Sequence, residues 1–161
     1  MSDAASATTV RLSLLLTPEH VFLDIPAHTR EEVLVYVAER MEQTGAVRHA
    51  QDIVDLLLDR ERLGATVVGD ETAIPHCKIQ GLKDIVVSFA RLKEAIPFGI
   101  GEEAARLFFF VFSPREQPAA HLQVLATIAR LLRNPTARKL FAEAATSEAL
   151  VASLAQMESV A

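Results

Sequence analysis

Two runs of strand length, rich in β-branched and aromatic residues, constrain the fold of this chain more than any other feature. They are Ile85–Ala90 and Leu107–Phe112. Neither run alternates apolar with polar residues, so both faces of each strand must be covered. Helical patterns lie before and after these strands, and one of them begins at Thr29 and Glu32, which have the spacing of a capping box. The sequence therefore predicts an α/β protein with three layers, α/β/α, in which helices flank a central sheet.

The remaining elements follow from apolar periodicity and from residues that end helices and strands. Residues 1–9 are small and polar and are predicted to form a flexible tail, so that a single domain covers residues 10–158. Val10–Leu16 is compatible with a short strand or with a helical turn. The other predicted elements are a strand at Val21–Ile25, a helix between Thr29 and Gly45, a helix at Ala50–Arg60, a short strand at Thr66–Val68, and helices at Pro118–Arg133, Thr136–Ala144 and Ser147–Met157.

Two details of the last helices are also predicted. Ser147 is expected to cap the final helix. The buried face of the helix at Pro118–Arg133 is expected to hold the apolar residues Leu122, Leu125, Ile128, Ala129 and Leu132.

Composition excludes several classes of function. The formal net charge is −5, so no nucleic-acid partner is expected, because no basic stripe is available to neutralise phosphates. The run Leu107–Phe112 is too short to cross a bilayer, and residues 1–4 lack the basic and apolar regions of a secretory signal. Cys77 is the single cysteine, which excludes an internal disulfide and fits a reducing compartment. We therefore expect a cytoplasmic protein without membrane insertion.

The segment Ala73–Lys78 carries the most specific chemical signal. It places His76 directly after Pro75, whose ring fixes its own φ and pushes the preceding residue toward extended geometry. A histidine held in one place in this way is suited to act as a neutral nucleophile near pH 7. Taken alone, such a histidine is more often a structural residue that caps a turn.

Two further residues suit the same chemistry. His121 follows the second apolar strand by a short loop, which predicts a position near the carboxyl edge of the sheet, and Arg60 lies at the end of a helix. In phosphoryl transfer an imidazole nitrogen attacks phosphorus, while a second imidazole and a guanidinium hold the oxygens on which charge develops. Two histidines and an arginine therefore indicate phosphoryl chemistry.

Three segments together carry a family resemblance. These segments are Arg60–Thr66, Ala73–Lys78 and His121–Ala126. They resemble the enzyme IIA domain of the bacterial phosphoenolpyruvate-dependent sugar phosphotransferase system, in its nitrogen-regulatory and fructose/mannitol type. The resemblance extends from about Leu12 to Leu154. It implies a mixed β-sheet between helical layers, and it implies no cofactor and no metal.

The resemblance also implies roles for individual residues. His76 would accept a phosphoryl group from a small histidine phosphocarrier protein, HPr or its nitrogen-branch relative, and His121 would hydrogen-bond that group. Arg60 would lie near the site with Glu61 beside it. Thr66, Pro75 and Lys78 would contribute to binding the phosphate or the partner. A nitrogen-type regulatory role is expected, with a regulatory target protein or an enzyme IIB as the further partner.

The sequence departs from the family pattern in two places. The loop before the histidine is Val67–Thr72 and lacks the usual run of glycines, and Cys77 follows the histidine where the family often has glycine. Fewer glycines restrict positive φ, and the negative charge of Glu71 would oppose a phosphoryl dianion if it faced the site. The rate of phosphorylation and the choice of donor are the properties these changes affect.

Two other functions are compatible with the same residues. The chain could be a regulatory module that docks to a target protein, with phosphorylation as a switch or no longer needed. It could also be a thiol or metal sensor that uses Cys77, although adjacent side chains of an extended segment point to opposite sides, which argues against shared ligation by His76 and Cys77.

Overall fold

The computed structural model describes residues 10–99 and 103–160 of the chain. The predicted flexible tail, residues 1–9, lies outside the described residues. The helices are α1 (Leu12–Leu15), α2 (Arg30–Gln43), α3 (Ala50–Arg62), α4 (Pro118–Leu131), α5 (Pro135–Glu143) and α6 (Ser147–Ser159). The strands are β1 (Val21–Ile25), β2 (Val67–Gly69), β3 (Thr72–Ala73), β4 (His76–Ile79), β5 (Val86–Pro97) and β6 (Ala104–Pro114).

The six strands form one mixed sheet. Its order is β1-β5-β6-β3-β2, and β4 also pairs with β6. The β1–β5, β3–β6 and β4–β6 pairs are parallel, whereas β5–β6 and β2–β3 are antiparallel. Because β3 and β4 follow one another along the same side of β6, the short Ile74–Pro75 link between them lies within the sheet rather than in a surface loop.

Apolar side chains cover both faces of this sheet, as predicted from strands that do not alternate apolar with polar residues. On one face, α2 and α3 pack against alternate residues of β6, among them Phe108, Phe110 and Phe112. On the other face, α1, α4, α5 and α6 pack against Phe109 and Val111. The predicted three-layer α/β/α architecture is therefore confirmed. None of the helices in the described ranges is both long and apolar enough to cross a membrane.

Most element boundaries agree with the predictions, and the differences have local causes. The undecided segment near the start contains a helical turn, α1. The two central strands are longer than their apolar cores, because β5 continues to Pro97 and β6 takes in both Ala104 and Pro114. The predicted cap of the last helix was wrong by one residue: the Thr146 side chain, not that of Ser147, accepts the hydrogen bond from Ala149 N.

The predicted buried face of α4 was wrong for two residues. Leu122 is 65% exposed and Ala129 is exposed, whereas the fully buried residues of this helix are His121, Val124 and Ile128. The helix is therefore turned so that a histidine, and not the neighbouring leucine, faces the sheet. This rotation brings His121 to the site described below.

Candidate functional site

His76 is the first residue of β4, where it lies opposite Val111 of β6 and is partly buried. Its Nδ1 atom is 2.7 Å from the carbonyl oxygen of Ile74. Since a carbonyl can only accept, Nδ1 carries the hydrogen in the neutral ring, and the lone pair is on Nε2. The Ile74–Pro75 link therefore fixes the ring and also selects its tautomer.

Arg60 reaches this ring from the last turn of α3. Its Nε donates to His76 Nε2 at 3.2 Å, and its Nη1 donates to the carbonyl oxygen of Gly64 at 2.9 Å. Gly64 ends the helix with φ 144°, a value that favours glycine. The guanidinium is thus held at the helix end and faces the unprotonated nitrogen of the imidazole.

Glu61 and Thr66 lie beside the site and form hydrogen bonds with each other. Thr66 N and Oγ1 donate to the Glu61 carboxylate at 3.1 and 2.6 Å, and both residues are buried. The carbonyl oxygen of Thr66 in turn accepts from Ile74 N at 3.0 Å. Glu61 therefore ties the end of α3 to the segment that orients His76, without a hydrogen bond to the imidazole.

His121 lies in the first turn of α4, with its ring centroid 5.4 Å from that of His76. It is only 4% exposed. Its Nδ1 is 2.6 Å from Oγ of Ser113, a buried residue near the end of β6. Sequence patterns did not single out Ser113; the signal available was a small polar residue directly after the apolar run Leu107–Phe112.

Both imidazoles are neutral near pH 7. Burial lowers the pKa of His76, the Ile74 carbonyl opposes this effect, and the charge of Arg60 adds to it. Burial lowers the pKa of His121 to about 4, with smaller contributions from His76 and Lys78. A neutral His76 has the free lone pair that a nucleophile needs.

Lys78 and Pro75 occupy different environments. Lys78 follows His76 by two positions on β4 and is exposed, so the two side chains leave the strand on the same side. Pro75 is buried, and its carbonyl oxygen accepts from Val111 N at 3.0 Å. Lys78 is therefore available to a partner or an anion, whereas Pro75 holds the strand that carries His76.

The Cys77 side chain lies on the face of the sheet that α2 and α3 cover. It belongs to the core formed with α2 and α3, and burial raises the pKa of its thiol to about 12. Within residues 10–99 and 103–160, no group of three His, Cys, Asp or Glu side chains is placed to hold a metal ion. The thiolate that a sensor or a metal site requires is strongly disfavoured here.

The glycine-poor loop forms the turn between β2 and β3. Asp70 and Glu71 adopt φ of 50° and 55°, which places both residues in the left-handed region. The carbonyl oxygen of Glu71 accepts from Arg106 N and Leu107 N, whereas His76 lies opposite Val111, further along β6. Glu71 is therefore held at a different level of the sheet from the site.

The chain is an α/β domain in which a mixed sheet lies between two helical layers and brings two neutral imidazoles and an arginine together. The chain belongs to the family described as "Phosphoenolpyruvate-dependent sugar phosphotransferase system, EIIA 2", which matches residues 14–157.

Individual relatives support this assignment. A nitrogen regulatory protein of Bradyrhizobium diazoefficiens is 34% identical over 143 residues, which cover 88% of this chain and 92% of the relative. A fructose-specific EIIA component of Haloferax volcanii is 30% identical over 144 residues, 88% of this chain and 94% of the relative. The structure of the nitrogen regulatory protein IIA-Ntr from Neisseria meningitidis has the same fold, with a TM-score of 0.81, 24% identity, and coverage of 89% of this chain and 98% of that one.

Proposed function

We propose that this chain is a histidine phosphocarrier, with Nε2 of His76 as the phosphoryl acceptor and a small HPr-like phosphocarrier protein as the donor. The observation that carries the proposal is the hydrogen bond from His76 Nδ1 to the Ile74 carbonyl. This bond leaves the Nε2 lone pair on the side that Arg60 and His121 flank.

The transfer is a substitution at phosphorus. The bond between His76 Nε2 and phosphorus forms while the bond between phosphorus and the donor imidazole breaks. A donor ring that is protonated on its other nitrogen leaves as a neutral imidazole, and His76 keeps its Nδ1 hydrogen, so no separate proton transfer is needed. Arg60 releases Nε2 as phosphorus approaches and moves onto a phosphoryl oxygen, where its charge stabilises the transition state.

Docking of the donor requires an apolar surface beside the histidine. Leu63 is 84% exposed and directly precedes Gly64, which Arg60 contacts, while Leu122 is exposed next to His121. We infer that these two exposed leucines, each next in sequence to a residue of the site, contribute to an apolar docking surface. A small carrier that presents its phosphohistidine within an apolar rim would fit this surface.

We place the chain in the nitrogen-type regulatory branch, with a regulatory target protein as its partner. A nitrogen regulatory protein is the more similar of the two curated relatives described above, at 34% against 30% identity. Both relatives match over nearly their whole length, so the extent of the match does not separate a regulatory role from delivery to an enzyme IIB in sugar uptake.

A second candidate is a regulatory docking module of the same family. The exposed leucines favour it, because a phosphoryl dianion on His76 would disrupt apolar docking by desolvation and repulsion. A pull-down with the wild type, His76→Ala and His76→Asp tests this function: binding to the target should follow the charge at residue 76.

Phosphorylation is tested directly with phosphoenolpyruvate, the first enzyme of the cascade and the small carrier. We expect an acid-labile mass gain of one phosphoryl group, which His76→Ala abolishes and His28→Ala, at an exposed histidine, retains. Phosphorus NMR should assign the group to Nε2. A wild-type protein that gains no mass, or a gain that survives His76→Ala, would refute the carrier function.

A further inference from the structure

The buried hydroxyl of Ser113 contacts the imidazole of His121. Ser113 is completely buried near the end of β6, and its Oγ lies 2.6 Å from His121 Nδ1. Strand alternation places Ser113 on the same face as Val111, the face on which α4 packs. The contact joins the two elements on either side of the loop that leads into α4.

The direction of this hydrogen bond decides which nitrogen of His121 carries the hydrogen. If Nδ1 donated to Oγ, the hydroxyl hydrogen would need another acceptor. Ser113 Oγ has no other hydrogen-bond partner within the described ranges, and the residue is sealed from solvent. An unpaired buried donor is unfavourable, and buried polar groups are nearly always paired. The hydroxyl therefore donates to Nδ1.

The other nitrogen of His121 is open. Its Nε2 has no hydrogen-bond partner among the described residues and is not among the buried unpartnered atoms of that part of the chain. In a neutral ring whose Nδ1 accepts a hydrogen bond, Nε2 carries the hydrogen. This nitrogen is therefore a donor at the open side of the ring, close to His76.

We propose that Ser113 is a positioning residue that fixes His121 in the Nε2–H tautomer, so that His121 presents a donor and not a lone pair to a phosphoryl group on His76. The inference rests on the proposed function for its consequence, but the tautomer itself can be measured without any phosphoryl transfer. The opposite tautomer would place the lone pair of Nε2 against the phosphoryl oxygens and repel them.

The tautomer is tested by nitrogen–proton correlation NMR of the histidine rings near neutral pH. In the wild type we expect the Nδ1 of His121 to have the shift of an unprotonated nitrogen and Nε2 that of a protonated one. In Ser113→Ala both shifts should move toward averaged values, because neither tautomer is then preferred. Ser113→Cys, which keeps the side-chain shape but has a weak donor, should give the same change if the alanine variant fails to fold.

Ser88→Ala is the matched control. Ser88 is also completely buried, on the adjacent strand β5, but its Oγ has no partner in the described part of the chain. Loss of this hydroxyl should leave the His121 shifts unchanged. A wild-type spectrum with the hydrogen on Nδ1, or a tautomer that Ser113→Ala and Ser113→Cys both leave unchanged, would overturn the inference.

The consequence for transfer is measured separately. The rate of phosphoryl transfer to His76 should fall about tenfold in Ser113→Ala, less than the roughly 10²–10³-fold loss that follows removal of a direct oxyanion donor. An unchanged rate would overturn the positioning role. If the wild type accepts no phosphoryl group, the proposed function fails, while the tautomer measurement still decides what Ser113 does to His121.

Discussion

The guanidinium of Arg60 donates two hydrogen bonds in different directions, which a lysine side chain could not do in the same way. One edge of the guanidinium donates to the His76 ring and the other to the Gly64 carbonyl. A lysine ammonium is a compact charge on a flexible stem and cannot reproduce this planar arrangement. For the proposed transfer, a positive charge alone would therefore not replace the planar guanidinium of Arg60.

We predict that Arg60→Lys slows phosphorylation of His76 by about 10²-fold, the effect of losing one positioned donor. The measurement is the rate of mass gain with the phosphorylated carrier. Arg62→Lys is the control, because Arg62 is exposed and pairs with Asp59 one turn earlier. Equal rates for the two variants would contradict a specific role for Arg60.

The depressed pKa of His121 links stability to pH. The ordinary pKa is 6.5 and the folded value is about 4, so between these values the unfolded chain binds more protons than the folded one. The free energy of unfolding therefore falls as pH falls through this window. The His121 contribution should amount to about 2 kcal/mol between pH near 7 and pH near 5.

Urea unfolding of the wild type and of His121→Asn at both pH values checks this prediction. The wild type should lose more stability on acidification than the variant, and the difference isolates His121 from other titrating groups. An exposed-site control, His28→Asn, should keep the wild-type pH dependence. Parallel pH dependence in wild type and His121→Asn would show that burial does not disfavour the charged ring.

At the scale of elements, the sequence predicted the layers and most boundaries, but not the rotation of α4. Leucine periodicity favoured Leu122 as a core residue, whereas the structure buries His121 and exposes Leu122. A helix turned in this way buries a polar ring, and the hydrogen bond to Ser113 compensates for its desolvation. Contacts such as Ser113–His121 and Arg60–His76 depend on loop geometry, which propensity and periodicity do not specify.

The β2–β3 turn has a conformation that its residues do not favour. Asp70 and Glu71 form the two-residue loop of a hairpin with positive φ at both positions, the geometry of a type I′ turn, which favours glycine at the second position. We predict that Glu71→Gly raises the free energy of unfolding by roughly 0.5–1 kcal/mol, because the left-handed strain exceeds the added entropy of the unfolded chain.

Chemical denaturation measures the effect. Glu94→Gly, at an exposed position of β5 without positive φ, should instead lower stability by about 0.5–1 kcal/mol. A loss of stability in Glu71→Gly similar to that of Glu94→Gly would show that the turn is not strained.

At the scale of the whole molecule, two arginines connect the sheet to the end of α5. Arg91 of β5 donates to the Asp24 carboxylate and to the carbonyl oxygens of Phe141 and Ala144, with distances of 2.8–3.2 Å. Arg106 of β6 donates to Ala142 O at 3.0 Å. These bonds satisfy carbonyls at a helix C-terminus, where the helix dipole also favours cations.

We predict that Arg91→Met lowers the free energy of unfolding by about 3 kcal/mol, because it removes a buried guanidinium and leaves the Phe141 carbonyl without its donor and the partly buried Ala144 carbonyl and the Asp24 carboxylate without theirs. Lys93→Met, at an exposed position of the same strand, should change stability by less than about 0.5 kcal/mol. Phosphorylation of folded Arg91→Met should be normal, since Arg91 lies opposite Leu107 and His76 opposite Val111. Loss of phosphorylation in the folded variant would show that this cluster also acts on the site.

The Ile74–Pro75 link between β3 and β4 also affects whether another extended chain can pair with the edge of the sheet. β4 forms the outer border of its half of the sheet, and an unbroken border would offer free backbone groups to any extended chain. Here the border is short, begins after a proline and carries a lysine, three features that discourage strand addition. The same interruption that positions the His76 imidazole thus also disfavours the addition of a further strand at this edge.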